Sequence, residues 1–163
     1  MNDRRTFLAL AAAAALGLVV TGRQSSASPA LRFSVNHSPA EWRRLLGPQR
    51  YYILREAGTE RQFTSPLLKE HRSGTFTCAG CALPLFSSAT KYDSGTGWPS
   101  FWRPLPRAIA TRPDPRYGYI GTAPTEVLCA RCGGHLGHVF DDGPRPTGLR
   151  YCMNGLALNF RPA

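Results

Sequence analysis

Acidic residues are scarce in this chain: ten Asp and Glu stand against twenty Lys and Arg in 163 residues, for a net charge of +10. Residues 1–27 carry +2 of that excess, which leaves +8 on the remainder. A surface with this balance attracts polyanions, so nucleic-acid binding is the first non-enzymatic possibility. The distribution argues against it. Arg43-Arg44, Arg50, Arg103, Arg107 and Arg145 are scattered, with no basic block and no charged stripe along a helix. No nucleic acid is expected as a partner.

Long apolar runs are equally rare. The one present, Ala9 to Val20, falls short of the roughly 20 residues that a bilayer span needs. It follows Arg4-Arg5-Thr6-Phe7-Leu8 and ends in Thr21-Gly22-Arg23, with Ser25-Ser26-Ala27 offering a small-residue cleavage site. Residues 1–27 therefore read as a twin-arginine-type signal peptide, with a periplasmic destination and no stable membrane anchor. A lipoprotein anchor is excluded, since no cysteine lies near that site. Residues 28–37 are expected to be a flexible segment, and 38–163 a single domain with one core.

Beyond Thr59 no stretch is free of Gly and Pro for long enough to support an extended helix. Helical signals are confined to the start of the domain. Ser38, Pro39 and Glu41 form a capping-box pattern, with Trp42, Leu45 and Leu46 on one face and Gly47-Pro48 as the stop. A second helix is expected from about Gln49 to Glu56, turning Tyr52, Ile53 and Leu54 inward and stopping at Gly58. Strand character follows in short runs: 75–78, 83–86, 108–111, 117–121, 125–129, 136–140, 150–153 and 157–160. The expected class is mainly β, a small antiparallel domain with short N-terminal helices.

Five cysteines are present. Cys78-Ala-Gly-Cys81 and Cys129-Ala-Arg-Cys132 are two knuckles that can close a tetrahedral four-sulfur zinc site. The 47 residues between them would make such an ion pin distant parts of one domain. Two structural disulfides and a redox-active Cys-x-x-Cys are the competing readings. The redox reading expects a helix after the motif, and neither pair has one. Cys152 is left over. It reads either as a buried small hydrophobe or as a nucleophile served by Arg150, His135 and His138.

Several longer segments carry a family resemblance: Gly58-Thr-Glu-Arg61 with Phe63, Lys91 to Phe101, Glu126 to Cys129, Cys132 to Pro144 and Pro146 to Asn154. Together they resemble the B-type methionine-R-sulfoxide reductases, from about Ser38 to Phe160. The resemblance implies reduction of R-configured methionine sulfoxide in oxidised proteins, on two small antiparallel sheets stapled by a four-cysteine zinc site at Cys78, Cys81, Cys129 and Cys132. It implies Cys152 as nucleophile, His135 and His138 in acid or positioning roles, Asn154 as an assisting amide and Trp98 as a wall of the methyl pocket. Physical chemistry agrees in outline: a sulfoxide becomes electrophilic only when its oxygen is protonated or strongly hydrogen-bonded, and its methyl group needs an apolar contact, for which Trp98 and Phe101 are candidates. Many such reductases carry a resolving cysteine two residues before the motif tryptophan; here that position is Thr96. The expectation is a single-cysteine enzyme, a monomer, whose Cys152 sulfenic acid is reduced by an external thiol.

Overall fold

The computed structural model describes residues 31–114, 116 and 124–163. Residues 1–27, expected to be a signal peptide, and the expected strand 117–121 lie outside the described residues. Leu31–Ala163 makes one compact unit.

Helix α1, Pro39–Glu56, starts as its sequence dictates: Ser38 Oγ accepts from Glu41 N–H at 3.3 Å, and the Glu41 carboxylate accepts from Ser38 N–H at 2.8 Å. The two expected helices run as one element broken at Gly47, whose φ of 67° and ψ of 172° are not helical. That break resets the phase of the buried face. Trp42 is buried before it and Tyr51, Ile53 and Leu54 after it, whereas Leu45 (57% exposed) and Tyr52 (51%) face outward, contrary to their expected inward placement. The left-handed residue that ends the helix is Ala57, one position before the expected Gly58. Gly58 is needed for space, because a Cβ there would come within 2.2 Å of the Tyr52 ring.

Nine strands follow among the described residues: β1 Gly74–Cys78, β2 Pro84–Ser87, β3 Lys91–Tyr92, β4 Ser100–Phe101, β5 Ile109–Pro113, β6 Thr125–Cys129, β7 His135–Phe140, β8 Arg150–Met153 and β9 Leu158–Pro162. They form a three-stranded sheet, order β2-β1-β9, and a six-stranded sheet, order β3-β4-β8-β7-β6-β5. Every pairing among them is antiparallel. The two-residue strands β3 and β4 are too short to show a period and are not legible in the sequence.

The sheets meet through aromatic packing. Phe101 of β4 stacks on Phe86 of β2 with centroids 4.4 Å apart and meets Phe76 of β1 edge-on at 4.9 Å. It is 0% exposed, so the structure corrects its expected place in a substrate pocket: Phe101 is core. Burying one such ring contributes about 2–3 kcal/mol. The segment ahead of α1 also packs down, with Val35 N–H donating to Arg131 O at 3.0 Å.

Candidate active site and metal centre

The two Cys-x-x-Cys knuckles fold alike. In the first, Ala82 N–H donates to Cys78 O and Cys78 N–H to Leu83 O, both at 2.8 Å; in the second, Gly133 N–H donates to Cys129 O and Cys129 N–H to Gly134 O, both at 2.9 Å. Each places its fifth residue in the left-handed region, Ala82 at φ 58° and Gly133 at φ 66°. The first knuckle ends β1 in the small sheet and the second joins β6 to β7 in the large one. All four sulfurs lie within 4.8 Å of one another. The tightest contacts run between knuckles, Cys78 to Cys132 at 3.7 Å and Cys81 to Cys129 at 3.5 Å. A tetrahedral ion with metal–sulfur bonds of about 2.3 Å requires sulfurs about 3.8 Å apart, which fits, while a disulfide needs about 2.05 Å. Contacts among the sulfurs push the Cys78 and Cys132 thiols up and hold Cys81 and Cys129 down, because four thiolates cannot share this volume without a cation. These four residues form a site able to hold a metal ion, and its position staples the two sheets together.

Cys152 stands apart, half-buried on β8. Strand register sets its neighbours. Arg112, Glu126, His138, Cys152, Ser100 and Tyr92 pair in one rank across β5, β6, β7, β8, β4 and β3. Directly opposed residues of antiparallel strands share a face, so this rank presents a thiol flanked by an imidazole and a hydroxyl. β7 and β8 approach closely here: a Cβ on Gly137 would sit 2.1 Å from Cys152 O.

His135 and His138 each have a buried carboxylate partner. His138 Nε2 lies 2.7 Å from Asp114 Oδ2, and Asp114, 1% exposed, is gripped by the Arg116 guanidinium. Those Arg116 hydrogen bonds, with help from His138, hold the Asp114 carboxyl well below the usual range. An ionised Asp114 only accepts, so His138 Nε2 carries the proton and Nδ1 becomes a donor only in the imidazolium. Burial pushes His138 below its ordinary value, and the Asp114 hydrogen bond partly opposes that shift. Asp114→Asn therefore lowers the imidazolium fraction further. At neutral pH turnover is expected to fall about ten-fold per pH unit of additional shift, and the alkaline limb of the pH–rate profile moves to lower pH. An unmoved limb would show that His138 is not the titrating group.

His135 is buried, with Nδ1 2.7 Å from Glu126 Oε1 and Nε2 meeting no partner among the described residues. Burial alone would raise Glu126, but hydrogen bonds from His135 and Arg112 outweigh it and keep the carboxyl below its ordinary value. Asn154 is also enclosed: its Oδ1 accepts from Glu60 N–H at 2.9 Å and its Nδ2 donates to Leu136 O at 3.2 Å. Both ends of the amide are used inside the fold, where they hold the end of β8.

Trp98 is anchored by its indole N–H donating to Glu60 O at 3.1 Å. It lines a cavity of about 450 Å³ with Phe63, Leu68, Tyr92, Gly97 and Pro99. Phe63 is 65% exposed and is held at φ 63° by its N–H bond to Gly97 O at 2.8 Å. The Glu60 carboxylate accepts from Gly155 N–H at 2.5 Å and Leu156 N–H at 2.9 Å, so one buried residue ties the Trp98 wall to the chain leaving β8. Sequence reasoning does not pick out Asp114, Glu126, Glu60 or Phe63 as site residues. Glu126 leaves a trace, a carboxylate inside the apolar strand pattern of 125–129, which must find a partner if buried.

A SelR domain matches residues 46–162. The chain is 50% identical over 131 residues to the peptide methionine sulfoxide reductase MsrB of Leptospira interrogans, covering 80% of this chain and 98% of that protein. The corresponding protein of Agrobacterium fabrum is 53% identical over 129 residues, covering 78% and 93%, and that of Methanosarcina barkeri is 47% identical over 129 residues, covering 78% and 89%. The chain thus belongs to the SelR-domain family of peptide methionine sulfoxide reductases.

Proposed function

We propose that the chain reduces the R epimer of methionine sulfoxide in oxidised proteins, with Cys152 as nucleophile and an external thiol as reductant. The observation that carries this reading is the rank across the large sheet, in which Cys152 stands between Ser100 and His138 while the other four cysteines are gathered elsewhere. The Cys152 thiolate attacks the sulfoxide sulfur, the oxygen passes to Cys152 Sγ and takes up a proton from the His138 imidazolium, and methionine leaves with Cys152 as sulfenic acid. A thiol then displaces water to give a mixed disulfide, and a second thiol restores Cys152 and departs as the oxidised disulfide. The part of the Trp98 ring left uncovered is the proposed contact for the apolar methyl end of the substrate.

The metal is proposed to be zinc, held by Cys78, Cys81, Cys129 and Cys132, since a soft four-thiolate tetrahedron suits it. Its role is to fix the two knuckles, and no step of the reaction passes through it. The same reading places the enzyme in the periplasm, exported by residues 1–27; an intact Met1 on a chain found only in the cytoplasm would contradict that address.

Oxidation of the full chain with methionine sulfoxide in the absence of thiol should leave a dimedone adduct on the Cys152 peptide. Recovery of a disulfide between Cys152 and another cysteine of the chain, by peptide mapping, would overturn the single-cysteine route.

A further inference from the structure

A hydroxyl stands in contact with the Cys152 sulfur. Thr96 Oγ1 lies 3.8 Å from Cys152 Sγ. It also lies 2.9 Å from Ser94 Oγ, which is 2.8 Å from Ser100 Oγ, and Ser100 Oγ–H donates to Trp98 O at 3.1 Å. Four side chains therefore form one hydrogen-bonded line from the thiol to a backbone carbonyl.

The turn that carries Thr96 is built to aim it. Gly95 at φ 72° and Gly97 at φ 91° flank it, and Asp93 Oδ1 accepts from Gly95 N–H at 2.9 Å. A Cβ on Gly97 would come within 2.9 Å of Phe63 N, so the turn is also pressed against the 60–63 segment. At the other end Ser100 is wholly buried and is the cross-strand partner of Cys152.

The polarity of the line follows from its ends. A carbonyl only accepts, so Ser100 donates to Trp98 O, Ser94 donates to Ser100, and Ser94 Oγ accepts from Thr96 N–H at 3.4 Å. With the Ser94 proton committed to Ser100, the 2.9 Å contact between Ser94 and Thr96 is a bond that the Thr96 hydroxyl donates to Ser94 Oγ. A protonated Cys152 donates to Thr96 Oγ1; a thiolate only accepts, and rotation of the Thr96 hydroxyl from Ser94 Oγ to Sγ supplies the donor, while Ser94 Oγ keeps its bond from Thr96 N–H.

We propose that Thr96 is a catalytic residue that holds Cys152 as the thiolate by donating its hydroxyl proton to Sγ, with Ser94 and Ser100 as the positioning residues that orient it. This rests on the reading of Cys152 as the nucleophile.

The test uses the metal-loaded full chain and the rate of iodoacetamide alkylation at Cys152, followed by mass spectrometry of its peptide across pH. Thr96→Val, matched in shape but without the hydroxyl, is expected to react about ten-fold more slowly near neutrality, the scale of one charge-assisted hydrogen bond, and to converge on the native rate at high pH, where every thiol is ionised. Thr96→Ser restores the native profile. A Thr96→Val profile identical to the native one overturns the proposal, as does a slowing that is constant at all pH or shared equally by Thr96→Ser, either of which marks a steric effect. Circular dichroism and metal content verify that each variant is folded. Alkylation needs no sulfoxide, so its outcome is independent of whether the native chain turns over methionine sulfoxide.

Discussion

Stripping the metal from the four-cysteine site, by chelation or by Cys81→Ser, is expected to melt the domain rather than merely loosen a loop. The sulfurs tie a turn of the small sheet to a turn of the large one, and structural four-thiolate sites bind with about 10–16 kcal/mol, against total domain stabilities of about 5–15 kcal/mol. Partial compensation by the aromatic contacts of Phe76, Phe86 and Phe101 leaves an expected loss of at least about 5 kcal/mol. For a domain of this size that lowers the melting temperature by roughly 15–20 °C. Circular dichroism melts alongside metal content measure it. Unchanged melting after complete metal loss would mean that the cluster is not a staple.

Cys152→Ser should behave in the opposite way. Cys152 lies outside the cluster, with Thr96 as its side-chain contact, and serine is slightly smaller than cysteine, so folding, melting temperature and metal content remain native within about 1 kcal/mol. Turnover falls by about 10⁴-fold or more, as expected when a nucleophile is removed from a unit whose members act together. A serine hydroxyl cannot take the oxygen from a sulfoxide and return it to a thiol. Turnover surviving in this variant would place the chemistry elsewhere.

The contrast between these two variants reflects what the sequence can disclose. Paired Cys-x-x-Cys spacing has few physical meanings, and the capping box at Ser38 and Glu41 is local, so both are legible; the strands expected at 125–129 and 150–153 are found with those bounds. Contacts between distant segments are not. Asp114 reaches His138 across 24 positions and Glu60 reaches Asn154 and Leu156 across 94 and 96, and no local pattern encodes such pairings. Phe101 shows a different limit: its motif places it near the site in sequence, but the face on which a two-residue strand turns its side chains depends on the sheet it joins. Leu45 and Tyr52 turn outward because the face of α1 that is buried depends on what the helix packs against, which its own sequence does not encode.

Consumption of separated R and S epimers of a dabsylated methionine sulfoxide by the native chain, with dithiothreitol as reductant, tests the account most directly. Turnover of the R epimer alone is the predicted result. Turnover of the S epimer, or of neither by folded, metal-replete protein, would contradict it.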